Sequence, residues 1–119
     1  MVASTQLYGA TRTLLASELP RRGIDTTFVD PDRGGWAEAL RPRTRVLYIE
    51  MPTNPTLRLL DPRPLVELAR ERGMVVACDA TFSSPVNLRA ASLGIDAVIQ
   101  SATKYLGGHS DLKIGRAHV

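Results

Sequence analysis

The sequence predicts an α/β domain with a mainly parallel sheet flanked by helices, and three observations carry that expectation. Apolar runs with polar ends recur in "RTRVLYIE", in "MVVACD" (Met74 to Asp79) and in "IDAVIQ" (Ile95 to Gln100), the pattern of strands covered on both faces. The segments between them have helical spacing and are punctuated by proline and glycine. Strand, helix, strand in alternation is the signature of parallel pairing through crossovers. A length of 119 residues suffices for one small domain or a piece of one, and 44% apolar with 23% charged residues is the composition of a folded globular chain.

Taken in order, "VAST" is a short apolar and β-branched strand. In "ATRTLLASELPRRG", Leu14, Leu15, Ala16 and Leu19 suit a helix that stops at Pro20 and Gly23. "IDTTFVD" alternates apolar and polar residues from Ile24 to Val29, as an edge or half-buried strand does, and a short helix is expected from Trp36 to Leu40. Val46 to Ile49 form a buried strand ending at Glu50. Asp61 can then cap a helix with Pro62 at its first position and Leu65, Val66, Leu68 and Ala69 on one face, while Arg70 and Arg72 suit its C-terminal dipole. Beyond the strand at Met74 to Asp79, a helix is expected from about Val86 to Leu93.

Charge and cysteine content exclude several function classes. The formal charge is +3, and the basic residues are scattered without the aromatic interleaving of a nucleic-acid surface. Cys78 is the single cysteine, so no internal disulfide forms, and its apolar setting reads as a small buried residue in a reducing cytoplasm. No run approaches the roughly 20 apolar residues of a membrane span, and "MVASTQLYG" lacks the features of a signal peptide. His109 stands alone without a spaced partner, so no metal site is expected. The last seven residues, "KIGRAHV", are what a common sequencing-library adapter encodes, and Lys113 to Val119 are therefore read as an adapter-derived, non-native tail. Setting aside Lys113 and Arg116 removes two positive charges and brings the formal charge to +1.

Ligands of parallel α/β sheets bind beyond the carboxyl ends of the strands. The polar residues there are Glu50, Asp79 and the group Ser101, Thr103 and Lys104. Glu50 reads equally as a helix cap or arginine partner and as a site residue. Asp79 follows "VVAC", should be half buried, and needs a cationic or donor partner. Lys104, with two hydroxyls just before it and Gly107 and Gly108 just after, faces the same crevice. A fixed anion, a reactive amine and an anion cradle are what pyridoxal phosphate chemistry asks of a protein. The spacing alone also fits an ordinary α/β fold with surface polar residues.

Four stretches in order, "QLYG", "EMPTNPTLR", "DATFSSPVN" and "SATKYLGGHSD", make the chain resemble the Cys/Met-metabolism family of pyridoxal phosphate enzymes from Met1 to about Leu112. The family includes cystathionine γ-synthases and γ-lyases, methionine γ-lyases and O-acetylhomoserine sulfhydrylases. The resemblance implies that residues 1–112 are part of the large, cofactor-binding domain of a fold-type I enzyme. It implies that Lys104 supplies the Schiff-base amine, that Asp79 pairs with the pyridine nitrogen, and that Ser101 and Thr103 bind the phosphate. Tyr8 would stack on the cofactor ring and help move protons or the leaving group, and Asn54 would hydrogen-bond the ring oxygen or the substrate carboxylate region.

The same resemblance implies β- or γ-elimination or γ-replacement on a sulfur amino acid, with pyridoxal 5'-phosphate as cofactor, in a cytoplasmic homotetramer whose active sites lie at a dimer interface. Ala80 stands where the family often has asparagine. The family's upstream phosphate loop, the residues lent by a neighbouring subunit and the C-terminal carboxylate-binding arginine have no counterpart in this sequence. The chain is thus expected to be an internal fragment, itself inactive, with Met1 an internal methionine. An inert α/β module that binds the cofactor weakly, or presents surfaces to a partner, is the alternative.

Overall fold

The computed structural model describes residues 1–118. Five strands, β1 (Val2–Ser4), β2 (Thr27–Val29), β3 (Val46–Glu50), β4 (Val75–Asp79) and β5 (Ala97–Ser101), are parallel. A sixth, β6 (Gly115–His118), runs antiparallel to β5. Their order in the sheet is β2-β1-β3-β4-β5-β6. "IDTTFVD" thus supplies an edge strand, as its alternation predicts, and the three apolar runs occupy the interior.

Period-two alternation explains why the inner strands read as continuous apolar runs. Leu47, Ile49, Val76 and Cys78 point to one face, where they pack with Val2, Met51 and the Leu65, Val66 and Ala69 stripe of α2 (Arg63–Arg72). Tyr48 and Ala77 point to the other, joined by Ala3, Leu7 and Leu15. Both faces are covered, so each strand needs apolar residues at odd and even positions alike.

The helical segments follow their punctuation. The first, α1 (Gly9–Thr13), continues through a wide turn to Glu18 and a tight one at Pro20–Arg22, ending at Gly23 with φ +77°. Helix α2 begins one residue later than expected. Asp61 Oδ1 accepts the Arg63 N–H at 3.0 Å, and Pro62 occupies the capping position.

Two expected helices are corrected. Trp36 to Leu40 forms turns closed by Ala39 N–H to Gly35 O and Leu40 N–H to Ala37 O, and goes no further. Pro42 has no N–H to continue the ladder and disfavours helical backbone at Arg41. Val86 to Leu93 splits into α3 (Ser84–Asn87) and a separate tight turn at Ala90–Leu93. Leu88 adopts extended backbone between them (φ −135°, ψ 108°) and packs on the core beside buried Ala90. Residues 113–119, expected to be a foreign tail, supply β6, which pairs with β5 by a backbone ladder; Val119 lies outside the described residues.

Leu47 is fully buried on an inner strand. Leu47→Ala is expected to cost about 2–5 kcal/mol, read as a lower denaturant midpoint of the folded protein with an unchanged slope.

Candidate active site

The strand order reverses direction between β1 and β3: the chain goes from β1 outward to β2, then returns past β1 to β3, β4 and β5. A crevice beyond the carboxyl ends at such a switch point is where doubly wound sheets bind ligands. Tyr8 lies in the segment after β1, Glu50 and Asn54 at and after β3, Asp79 at the end of β4, and Ser101, Thr103 and Lys104 at and after β5. Glu50 pairs with Asp79, and Asp79 with Ile99, so these ends are level.

Glu50 is only 4% exposed. Its Oε2 accepts the backbone N–H of Tyr8 at 2.6 Å. Burial pushes its carboxyl up to about 7; the Tyr8 N–H opposes that rise, the nearby Asp79 charge adds to it, and the Asn54 N–H opposes it again. The carboxylate thereby ties the segment that carries Tyr8 to the end of β3.

A second tie joins Asp79 to Ser101. Asp79 Oδ1 accepts the Thr81 N–H at 2.9 Å, and Thr81 Oγ1 accepts the Ser101 N–H at 2.8 Å. The neighbouring Ala80 N–H donates to Ile99 O at 2.9 Å. Buried Thr81 is therefore the link between the ends of β4 and β5.

Lys104 stands in a turn over Ala102–Leu106 with non-helical backbone (φ −92°, ψ −122°), and it is exposed. The glycines behind it have a steric reason. Gly107 N–H donates to Ala102 O at 2.7 Å, and a Cβ on Gly107 would lie 2.6 Å from that oxygen. Gly108, at φ +79°, closes the turn by donating to Lys104 O at 2.9 Å. Tyr105 beside Lys104 packs edge-on to Phe82, with ring centroids 6.3 Å apart.

Tyr8 is 52% exposed, whereas Asn54 and Thr103 are partly buried. The structure thus joins Tyr8 to Glu50, and Asp79 to Ser101 by way of Thr81, through main-chain N–H groups. Thr103 and Lys104 share the β5 turn, and no ion pair among the described residues engages Lys104. Cys78 is buried and its thiol is pushed up to about 12, chiefly by burial, so it is inert packing. An apolar cavity of about 350 Å³ between α3 and β5, lined by Leu88, Ala90, Val98 and Leu106 among others, contains none of the six candidate site residues.

Two residues of this arrangement were not assigned to the site from sequence. Glu50 stood between a structural and a functional reading, and its main-chain partners carry no side-chain signal. Thr81 had a local signal in the Asp-x-Thr spacing, which favours an aspartate bonding the N–H two residues on.

The sequence model of the Cys/Met metabolism PLP-dependent enzyme family matches residues 1–119. Cystathionine β-lyase MetC of Bacillus subtilis is 42% identical over 120 residues, covering 100% of this chain and 31% of that protein. Cystathionine γ-synthase 1, chloroplastic, of Nicotiana tabacum is 41% identical over 117 residues, 97% of this chain and 22% of that protein. The crystal structure of cystathionine γ-lyase from Lactobacillus plantarum, complexed with L-serine, superposes with a TM-score of 0.92 at 36% identity, over 98% of this chain and 31% of that one. The chain spans less than a third of the length of these relatives.

Because the Glu50 carboxyl rises from 4.5 in the unfolded chain to about 7 in the folded one, the folded state holds a proton that the unfolded state releases. Its contribution is fully present below about 4.5 and is lost as pH rises to about 7. Denaturation of the folded protein and of Glu50→Gln across that window should show the substitution becoming progressively less costly with rising pH; a constant difference contradicts the assignment.

Proposed function

The chain belongs to the Cys/Met metabolism PLP-dependent enzyme family, and from that premise we propose that its strand ends form one wall of a pyridoxal 5'-phosphate site. The protein that carries it catalyses β- or γ-elimination or γ-replacement on a sulfur amino acid, in the manner of cystathionine γ-synthases and γ-lyases. The observation that carries this reading is the hydrogen-bonded chain Asp79–Thr81–Ser101. It fixes a carboxylate and a hydroxyl residue at neighbouring strand ends, with the exposed amine of Lys104 three residues further on.

The donor set fits the cofactor: an amine for its aldehyde, a carboxylate for its ring nitrogen and hydroxyls for its phosphate. When bound, the cofactor supplies a conjugated electron sink for the charge left at the substrate Cα. Lys104 would supply the amine that holds the cofactor's aldehyde, and its Nζ would serve as the base for the substrate Cα proton. Asp79 has committed Oδ1 to Thr81, and its other oxygen would be the partner of the ring nitrogen. Ser101 and Thr103 would donate to the phosphate. Tyr8 would face the cofactor ring and pass a proton toward the leaving group, while Asn54 would donate to the ring oxygen or the substrate carboxylate region. The L-serine bound by the Lactobacillus plantarum relative supports an amino acid as the substrate class.

Catalysis needs more than this wall. The chain covers 31% of MetC, and Leu57, Leu59, Val86 and Tyr105 are left exposed on its surface. In the assembled enzyme, a homotetramer with sites at dimer interfaces, the remaining contacts to phosphate and substrate come from other segments and from the neighbouring subunit.

In the full-length protein, Lys104→Ala should abolish turnover and leave no borohydride-fixed cofactor on peptides spanning residue 104, with the fold retained. Asp79→Asn should keep the cofactor but slow Cα proton removal by orders of magnitude, because a neutral partner no longer favours the protonated ring nitrogen. Near-normal single-turnover proton removal in Asp79→Asn would make Asp79 purely structural. The isolated 119-residue chain, with or without Lys113 to Val119, should release no keto acid or thiol from cystathionine, homocysteine or methionine.

A further inference from the structure

An apolar strand end would cost less than a buried glutamate. Glu50 closes β3 almost out of reach of solvent, and no lysine or arginine forms an ion pair with it among the described residues. Asp79, its register partner on β4, adds like charge instead. A carboxylate in such a place is retained at a cost, and what it touches is main chain, the Tyr8 N–H at 2.6 Å.

We propose that Glu50 is a positioning residue for the cofactor ring, holding the segment after β1 to the end of β3 and with it the placement of the Tyr8 ring. This rests on the pyridoxal phosphate reading above. Tyr8 is the N-cap residue of α1, and its own side chain makes no capping bond, so on its N–H side it is held by Glu50. The Asn54 loop closes on itself, since Leu57 N–H donates to Thr53 O at 2.7 Å and Arg58 N–H to Thr53 Oγ1 at 3.1 Å.

The other tie between these segments lies outside. Asp32 accepts from Gln6 Nε2 at 3.0 Å and from Arg58, but these groups are exposed and screened by solvent. Glu50 is the tie that water does not weaken. Above about pH 7 the carboxylate accepts the Tyr8 N–H with a full charge, whereas an amide in its place offers only a neutral oxygen.

The test uses the full-length protein that carries this segment, unmodified and as Glu50→Gln, with pyridoxal phosphate as the probe. Borohydride should fix the cofactor on Lys104 in both. In Glu50→Gln, measured at about pH 8.5, the apparent dissociation constant should rise roughly fivefold, as when a charged acceptor gives way to a neutral one. The circular dichroism of the bound cofactor should fall at saturation, and amide exchange at Tyr8 should accelerate while Val76 stays protected. A variant with a lower melting temperature but unchanged cofactor affinity and dichroism would show that Glu50 only packs, and would overturn the proposal. Should Glu50→Gln fail to fold, the unmodified protein decides: a protected Tyr8 amide supports the tie, and exchange at the rate of an open loop overturns it. No fixation on Lys104 in the unmodified protein would instead overturn the pyridoxal phosphate reading itself.

Discussion

Backbone register across β3, β4 and β5 ties the core of this chain to its chemistry. The pairing Glu50 with Asp79 and Asp79 with Ile99 sets the polar strand ends level, while the same ladder places Leu47 beside Val76 and Ile49 beside Cys78 in the core. A slip of one residue would send Val76 and Cys78 to the opposite face and carry Asp79 away from Glu50 and Thr81 away from Ser101. The apolar faces thus hold the register, and the register holds the site. Neither is specified independently of the other.

Two carboxyl groups at adjacent strand ends, both close to the core, create an electrostatic asymmetry. Burial and the neighbouring Asp79 charge raise Glu50, so it is the member of the pair on which a proton settles near neutral pH. A protonated Glu50 still has an unprotonated oxygen to accept the Tyr8 N–H. Its tie to the segment after β1 therefore weakens on protonation without being abolished, because a hydrogen bond to a charged acceptor is about twice as strong as a neutral one. Asp79 is half-buried and bonded through one oxygen to Thr81.

Much of this was legible in the sequence, for reasons that differ by element. The strands β3, β4 and β5 were visible because two-sided burial demands apolar runs, and their polar ends marked Asp79, Ser101, Thr103 and Lys104. The helix expected at Trp36 to Leu40 failed because Pro42 removes the next donor, and the one at Val86 to Leu93 failed because Leu88 does more by packing than by continuing a helix. The strand order was not legible, since alternation of strand and helix says that strands are parallel but not which are neighbours. Tyr8 and Asn54 were placed by family resemblance, and what holds Tyr8 was invisible: Glu50 reaches a main-chain N–H 42 residues earlier in the chain.

The turn after β5 sets the backbone at Lys104 apart from that of a regular helix. A regular helix starting at Ser101 would carry Lys104 around its axis with the rest of the first turn; instead the backbone leaves helical geometry at Lys104 itself. What makes that break tolerable is the close return of the chain at Gly107, whose N–H caps Ala102 O at a separation no side chain would permit. The lysine is thus presented by a backbone fixed on both sides, by the β5 ladder before it and by the glycine turn after it. The two glycines that follow the lysine belong to its presentation as much as the hydroxyl residues that precede it.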